Sequence, residues 1–253
     1  MLDFFNGFYI EKKDEDFSEF DWKSGFFTTF KIVDRKIIDF ELHLKRLSKS
    51  LKTFGINIPN YNYKKICNNL LKINVLHEAR VKLMIFKRHD KTNCWIKMLP
   101  LKIETHPRRL SIYPIKRKNE IRFKHKSINY SENIRLNSLA KQNGFDDFLF
   151  LDENNYVLET TFCNIFFANK DEIVTPKKEL PLLNGIIRKK IISKICINNK
   201  HIYERMITIK NMKEYDFAFI TNSIIGVQEV IAIDGVSYGN CLLINEIDEY
   251  LRK

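Results

Sequence analysis

The chain has 253 residues, of which 44% are apolar and 29% charged, and Lys+Arg 43 against Asp+Glu 31 gives a formal charge of +12. That composition excludes a disordered or fibrous chain and is long enough for one large domain or two ordinary ones, each with its own core. No apolar run approaches the ~20 residues that span a bilayer, and 8 Gly with 6 Pro leave little room for long flexible linkers; the expectation is a protein of the cytoplasm with no membrane partner.

Met1 to Gly7 lacks a basic n-region and is interrupted by Asp3 and Asn6, so residues 4–10 read as a first strand and not as a signal peptide. Phe26 to Ile38 reads as a hairpin turning at Asp34-Arg35. Asp39 is placed to cap a helix whose apolar face is Phe40, Leu44, Leu47, Leu51 and Phe54, ended by Gly55. A second helix is predicted over 63–76 and strands over 80–87, 93–100 and 109–114, which makes the first half an antiparallel sheet with two helices. The second half is predicted as a helix from Ser131 to Asn143, strands at 146–151, 156–159 and 164–168, a helix from Gly185 to about Ile197, strands at 202–208, 216–221 and 228–233, and an amphipathic helix over 240–251. The domain boundary is placed in the basic stretch, giving an N-terminal α+β domain over 1–115, a linker over 116–125 and a C-terminal domain over 126–253.

Five dispersed cysteines (67, 94, 163, 196, 241) without a Cys-x-x-Cys favour free buried thiols over a disulfide framework or a zinc site. Six histidines without a His-x-x-x-His pair argue against a metal enzyme. The basic clusters Lys116-Arg117-Lys118, Lys177-Lys178 and Arg188-Lys189-Lys190 are short and scattered, so no nucleic-acid partner is expected. A basic field serves equally to draw in a small anionic substrate.

Four local patterns carry chemistry. Lys126, between a basic loop and a helix, is either a solvated surface amine or a lysine that attacks an aldehyde once its charge is disfavoured. Glu159, in Glu159-Thr160-Thr161-Phe162-Cys163-Asn164, is either an ordinary strand-end carboxylate or one aimed at a pyridine nitrogen, keeping it protonated. Gly185, in Leu183-Asn184-Gly185-Ile186-Ile187-Arg188, opens a helix whose first amides are unpaired donors suited to phosphate. Thr221-Asn222-Ser223 ends an apolar strand with turn residues that can also close a phosphate site. Together they meet the requirements of pyridoxal 5′-phosphate.

In this order, and with Asn6-Gly7, Gly25-Phe26-Phe27-Thr28-Thr29 and His43-Leu44-Lys45-Arg46-Leu47 before them, the patterns resemble the class IV, fold-type IV pyridoxal-phosphate enzymes. The resemblance implies two α+β/α/β domains with the cofactor at their interface, usually as a homodimer. It implies that Lys126 holds the cofactor's aldehyde and moves protons, and that Glu159 faces the pyridine nitrogen. Arg46, the backbone amides of Ile186 and Ile187, and the Asn222-Ser223 turn would bind the phosphate, with Tyr130 beside the phenolic oxygen. Phe27-Thr28-Thr29 followed by Lys31-Ile32-Val33-Asp34, and the stretch 147–164, are most similar to the aminodeoxychorismate lyases of that family. That similarity implies release of 4-aminobenzoate and pyruvate, with Thr28 or Thr29 supplying a hydroxyl near the substrate. A class IV aminotransferase acting on branched-chain or D-amino acids with a 2-oxo acid acceptor shares every cofactor residue and is the alternative. The sequence departs from the family pattern at Lys87-Arg88-His89-Asp90-Lys91, where many members carry glycine; Arg88 there is a candidate for a substrate carboxylate.

Overall fold

A computed structural model describes residues 1–14, 16–194, 196–197, 199–239 and 243–252, with Arg252 as backbone only. The chain divides into two units, one of residues 1–103 and 125–131, the other of 104–124 and 132–253.

The first unit holds β1 (Leu2–Phe5), β2 (Phe8–Glu11), β3 (Gly25–Val33), β4 (Lys36–Ile37), α1 (Phe40–Thr53), α2 (Tyr63–Ile73), β5 (Ala79–Arg88) and β6 (Lys91–Pro100). Its antiparallel sheet has the order β2-β1-β6-β5-β3-β4. Alternation sorts its two faces. Phe26, Phe30, Ile32, Val81, Leu83, Ile85, Ile96 and Met98 pack against Leu47 and Leu51 of α1 and Leu70 of α2. On the opposite face Phe27, Met84, Phe86 and Trp95 pack with Phe17 and Ile128. Three two-residue hairpin turns place both central residues at positive φ: Asn6-Gly7, Asp34-Arg35 and His89-Asp90. This geometry follows the right-handed twist of the strands. The glycine-poor stretch 87–91 is therefore a tight turn.

The second unit holds β7 (Arg108–Ile112), a short 3-10 turn (Ile121–Lys124), α3 (Ser131–Gln142, entered from the first unit's last residue), β8 (Asp147–Leu151), β9 (Val157–Thr160), β10 (Asn164–Ala168), β11 (Glu172–Pro176), α4 (Ile186–Ile192), β12 (Cys196–Ile197), β13 (Lys200–Arg205), α5 (Ile209–Met212), β14 (Phe217–Asn222), β15 (Gly226–Ile233), β16 (Val236–Ser237) and α6 (Leu243–Arg252). Because β9 pairs with both β8 and β10, the run β10-β14-β15-β7-β8-β9 closes on itself, and β11, β13 and β12 extend it from β10. Closure buries both faces of β10: Ile165 and Phe167 join one core with Ile220 and Ala218, while Phe166 and Ala168 join another with α4 and α6.

Several expectations need correction. The crossing between units falls at 103/104 and again around 125–131, not at a linker over 116–125 between domains of 1–115 and 126–253. The reason is partner choice: the strand expected at 109–114 forms as β7 but pairs in parallel with β8 and β15, while Phe26 bridges Ser127 and ties 125–131 to the first sheet. Asp39 precedes α1 but adopts φ 53 and makes no side-chain cap. The helix from Gly185 stops at Ile192; Cys196–Ile197 instead pairs back on β13, in keeping with the strand preference of β-branched residues. Strand β11 and helix α5 were not anticipated. The helix expected over 240–251 forms as α6, and positions 240–242 lie outside the described residues.

Candidate active site

Lys126 is fixed by its neighbours in the first unit. The Phe27 N–H donates to the Lys126 carbonyl at 2.9 Å, the Ile128 N–H donates to the Gly25 carbonyl at 3.0 Å, and the Ser127 hydroxyl donates to the Trp22 carbonyl at 2.7 Å. Glycine at 25 is needed by the close pairing of β3 with β5, where an added Cβ would lie 2.3 Å from the Cβ of Phe86. His125 Nδ1 sits 2.9 Å from Ser50 Oγ, and its ring meets Phe54 edge-on. The Lys126 amine lies 3.4 Å from the Tyr130 hydroxyl, with the Phe27 and Tyr130 ring centroids at 4.8 and 4.7 Å. Sequence order thus brings Lys126 and Tyr130 together.

Arg46 is held on the helix-facing side of the same sheet. Its Nη2 donates to Thr28 Oγ1 at 3.0 Å, and Thr28 Oγ1 lies 2.7 Å from His43 Nδ1. A hydroxyl that accepts from Arg46 has its proton free for Nδ1, which puts the imidazole proton on Nε2. Burial beside Arg46 and Lys126 pushes His43 down to about 3, so the ring is neutral; burial likewise lowers Arg46 to about 10. Arg46 Nε and His43 Nε2 are buried with no hydrogen-bond partner among the described residues. A guanidinium held out of water with a donor unused fits an anion, and the phosphate of pyridoxal phosphate is one.

Thr29 lies on the other side of β3, opposite Lys82 in register. The Lys82 amine stands 4.4 Å from the Phe27 centroid, the same ring that the Lys126 amine approaches. Burial, with Lys97 and Arg80 nearby, lowers Lys82 to about 8, and no carboxylate among the described residues offsets it. Lys97 is tied to Asp14 and the Lys13 carbonyl. Arg88 is exposed at the end of β5.

In the second unit, Glu159 of β9 pairs with Asn164 of β10, which pairs with Thr221 of β14, so the carboxylate and the Thr221-Asn222-Ser223 segment share one rung. Glu159 is 9% exposed. Its Oε1 accepts from Arg117 Nη1 at 2.9 Å, and its Oε2 accepts from the Leu183 N–H at 3.1 Å and Asn164 Nδ2 at 3.3 Å. Asn164 Nδ2 also donates to the Leu183 carbonyl at 2.7 Å. The helix start is seated here too: a Cβ on Gly185 would come within 2.2 Å of Asn164 Oδ1. Gly185 caps α4 without a side chain, leaving the first-turn amides of Ile186 and Ile187 uncapped by it. Thr221 Oγ1 is a further buried polar atom without a hydrogen-bond partner among the described residues. The Asn222 side chain is used internally: Oδ1 accepts from the amides of Ile224 and Ile225, and Nδ2 donates to Cys163 Sγ at 3.1 Å. Among the side chains of this turn, those of Thr221 and Ser223 are the ones not committed to the turn itself.

The family model for class IV aminotransferases matches residues 25–233, which takes in all of these groups. The chain belongs to the class IV aminotransferase family. Among class IV relatives it is 26% identical to a Methanocaldococcus jannaschii protein assigned as a branched-chain-amino-acid aminotransferase, over 93% of this chain and 88% of that protein. It is 25% identical to the aminodeoxychorismate lyase of Bacillus subtilis, over 93% and 87%. A Legionella pneumophila structure assigned as 4-amino-4-deoxychorismate lyase superposes with a TM-score of 0.85 at 25% identity, covering 90% of each chain. A hypothetical aminotransferase from Mycobacterium tuberculosis, solved in a pyridoxal-phosphate-bound form, shares the fold with a TM-score of 0.85 at 14% identity, covering 100% of this chain and 98% of that one.

Class IV patterns in the sequence missed three side chains that the structure brings forward. Lys82 and Arg80 had a legible signal, since they alternate with Val81 and Leu83 and share a strand face with the apolar Met84 and Phe86. Arg117 had none, because it sits in a charged run.

Proposed function

We propose that this enzyme is a pyridoxal-phosphate-dependent lyase that converts 4-amino-4-deoxychorismate to 4-aminobenzoate and pyruvate. The observation that carries the reading is Lys82: its amine and that of Lys126 flank one ring, Phe27, so a cation with no carboxylate partner among the described residues stands beside the reactive amine. A substrate that presents a carboxylate away from its own amine uses that cation; a branched aliphatic side chain does not. The similarity to the lyase of Bacillus subtilis, over nearly the full length of both chains, supports the same choice.

Bound pyridoxal phosphate supplies an electron sink for the pair left on the substrate carbon. The chain's own groups do the rest. Arg46 Nε, the amides of Ile186 and Ile187, Thr221 and Ser223 are the donors that would hold the phosphate, and Glu159 is the carboxylate that would face the ring nitrogen. Lys126 Nζ takes the proton from the carbon that bears the substrate's amine, with the Tyr130 hydroxyl orienting it. Thr28 is committed to His43 and Arg46, so Thr29, on the face that carries Lys82, is the hydroxyl nearer the substrate.

The test is turnover of the pyridoxal-phosphate-loaded protein with aminodeoxychorismate and no 2-oxo acid. 4-Aminobenzoate and pyruvate in equal amounts are expected. Amino-group transfer from leucine or D-alanine to 2-oxoglutarate, with no 4-aminobenzoate, would establish the aminotransferase that the Methanocaldococcus relative favours.

A further inference from the structure

Arg117 belongs to a basic cluster that reads as solvated loop, yet it is 8% exposed. Its N–H donates to the Leu151 carbonyl at 2.9 Å. Its guanidinium carbon lies 3.8 Å from the Phe150 centroid and 4.6 Å from that of Phe123, and its Nη1 meets Glu159 Oε1. A planar cation held by two rings cannot swing, and a lysine would not stack in this way.

We propose that Arg117 is a positioning residue that keeps the Glu159 carboxylate ionised and fixed in plane, so that the proton shared with a cofactor ring nitrogen stays on the ring. The proposal rests on the role given to Glu159 above. A carboxylate so far from water takes up a proton unless a cation opposes it. The Leu183 amide and Asn164 hold Oε2 but bring no charge, while Arg117 brings one. Among the other titratable groups on the elements around Glu159, Asp152 is committed to the amides of Asn154 and Tyr156, Asp147 accepts from the Thr161 hydroxyl, and the Cys163 thiol is pushed up to about 12 by burial. They are common to every variant below and cancel in the comparison.

A pair that merely tied the loop to β9 would show the same loss at every pH. The charge-holding role predicts a different pattern in the full-length, cofactor-free chain. In Arg117→Met the folded-state affinity of Glu159 for a proton rises above its unfolded value, so stability is lost as pH rises. The melting-temperature gap to the unmodified chain should widen as pH rises above the ordinary carboxylate range. Adding Glu159→Gln should make the gap independent of pH. Pyridoxal phosphate binding, followed by absorbance, should weaken about tenfold or more in Arg117→Met, and the double variant should match Glu159→Gln alone. A pH-independent gap that is equal in single and double variants overturns the proposal. If Arg117→Met does not fold, folding of the double variant supports it and failure of both overturns it. If borohydride fixes no pyridoxal phosphate on Lys126 of the unmodified chain, the cofactor reading fails, while the pH-dependent gap still reports the Arg117–Glu159 coupling.

Discussion

Arg46 and Arg188 are both guanidiniums drawn out of water, and they are treated in opposite ways. Arg188, in the second unit, is 1% exposed and fully engaged: Nη1 donates to Asn184 Oδ1, and Nη2 donates to the Pro176 carbonyl and to Glu204 Oε1. Arg46, in the first unit, donates to the Thr28 hydroxyl, and its Nε has no hydrogen-bond partner among the described residues. The contrast runs through both units. The second pairs Arg117 with Glu159 and Arg205 with Glu172, whereas the first leaves Lys82 and Arg46 without a carboxylate among the described residues. A buried charge matched inside the chain is a structural part; one left unmatched is where an anion from outside belongs.

The comparison rests first on Lys126. Replacing it with alanine should lower turnover by about 10²–10⁴-fold or more, the range for a lost positioned proton carrier, and abolish borohydride-fixed pyridoxal phosphate by mass spectrometry. Retained turnover would remove the reactive centre around which the first unit's cations are read. The two arginines can be set against each other directly. Arg188→Met should cost about 3–5 kcal/mol in urea unfolding, as expected when a buried ion pair loses one member. Arg46→Met should leave the cofactor-free chain as stable as before and instead weaken pyridoxal phosphate binding. If both variants lose stability alike, the division between matched and unmatched charge fails.

Lys82→Met sharpens the substrate side. KM for aminodeoxychorismate should rise by about 10- to 100-fold, the value of a charge-assisted hydrogen bond, with kcat changed less. An unchanged KM would move the carboxylate contact elsewhere, Arg80 and Arg88 being the next to test. An effect confined to acid pH is expected from His43, pushed down to about 3 in the folded chain against 6.5 unfolded. The unfolded state then binds the extra proton, so His43 contributes stability that is present above pH 6.5 and lost as pH falls toward 3. Melting curves of His43→Gln should show a shallower acid loss within that window.

The class IV family was legible in the sequence, through patterns that span the matched residues 25–233. Glu159, Gly185 and the Thr221-Ser223 turn stood out because glycine, amide and hydroxyl side chains at strand ends and helix starts have few ordinary reasons to recur in that order. Lys82 and Arg117 did not stand out, for opposite reasons. A lysine inside a strand becomes informative only when register shows which ring it faces, and an arginine within Lys116-Arg117-Lys118 becomes informative only when Phe123 and Phe150 enclose it. The boundary between units failed in the same way: β7 carries a sound strand pattern, but nothing local says that its partners are β8 and β15.

By itself the sequence determined the periodicities, the hairpin turn at Asp34-Arg35 and the residue types able to serve a B6 cofactor, because each depends on neighbours within a few positions of the chain. Tertiary structure alone decided which strands close the ring of β7 to β10 with β14 and β15, which threonine faces which side, and which cations stay unmatched. Those outcomes depend on groups brought together from distant parts of the chain, and desolvation and Coulomb energy act on distance in space, not on separation along the backbone.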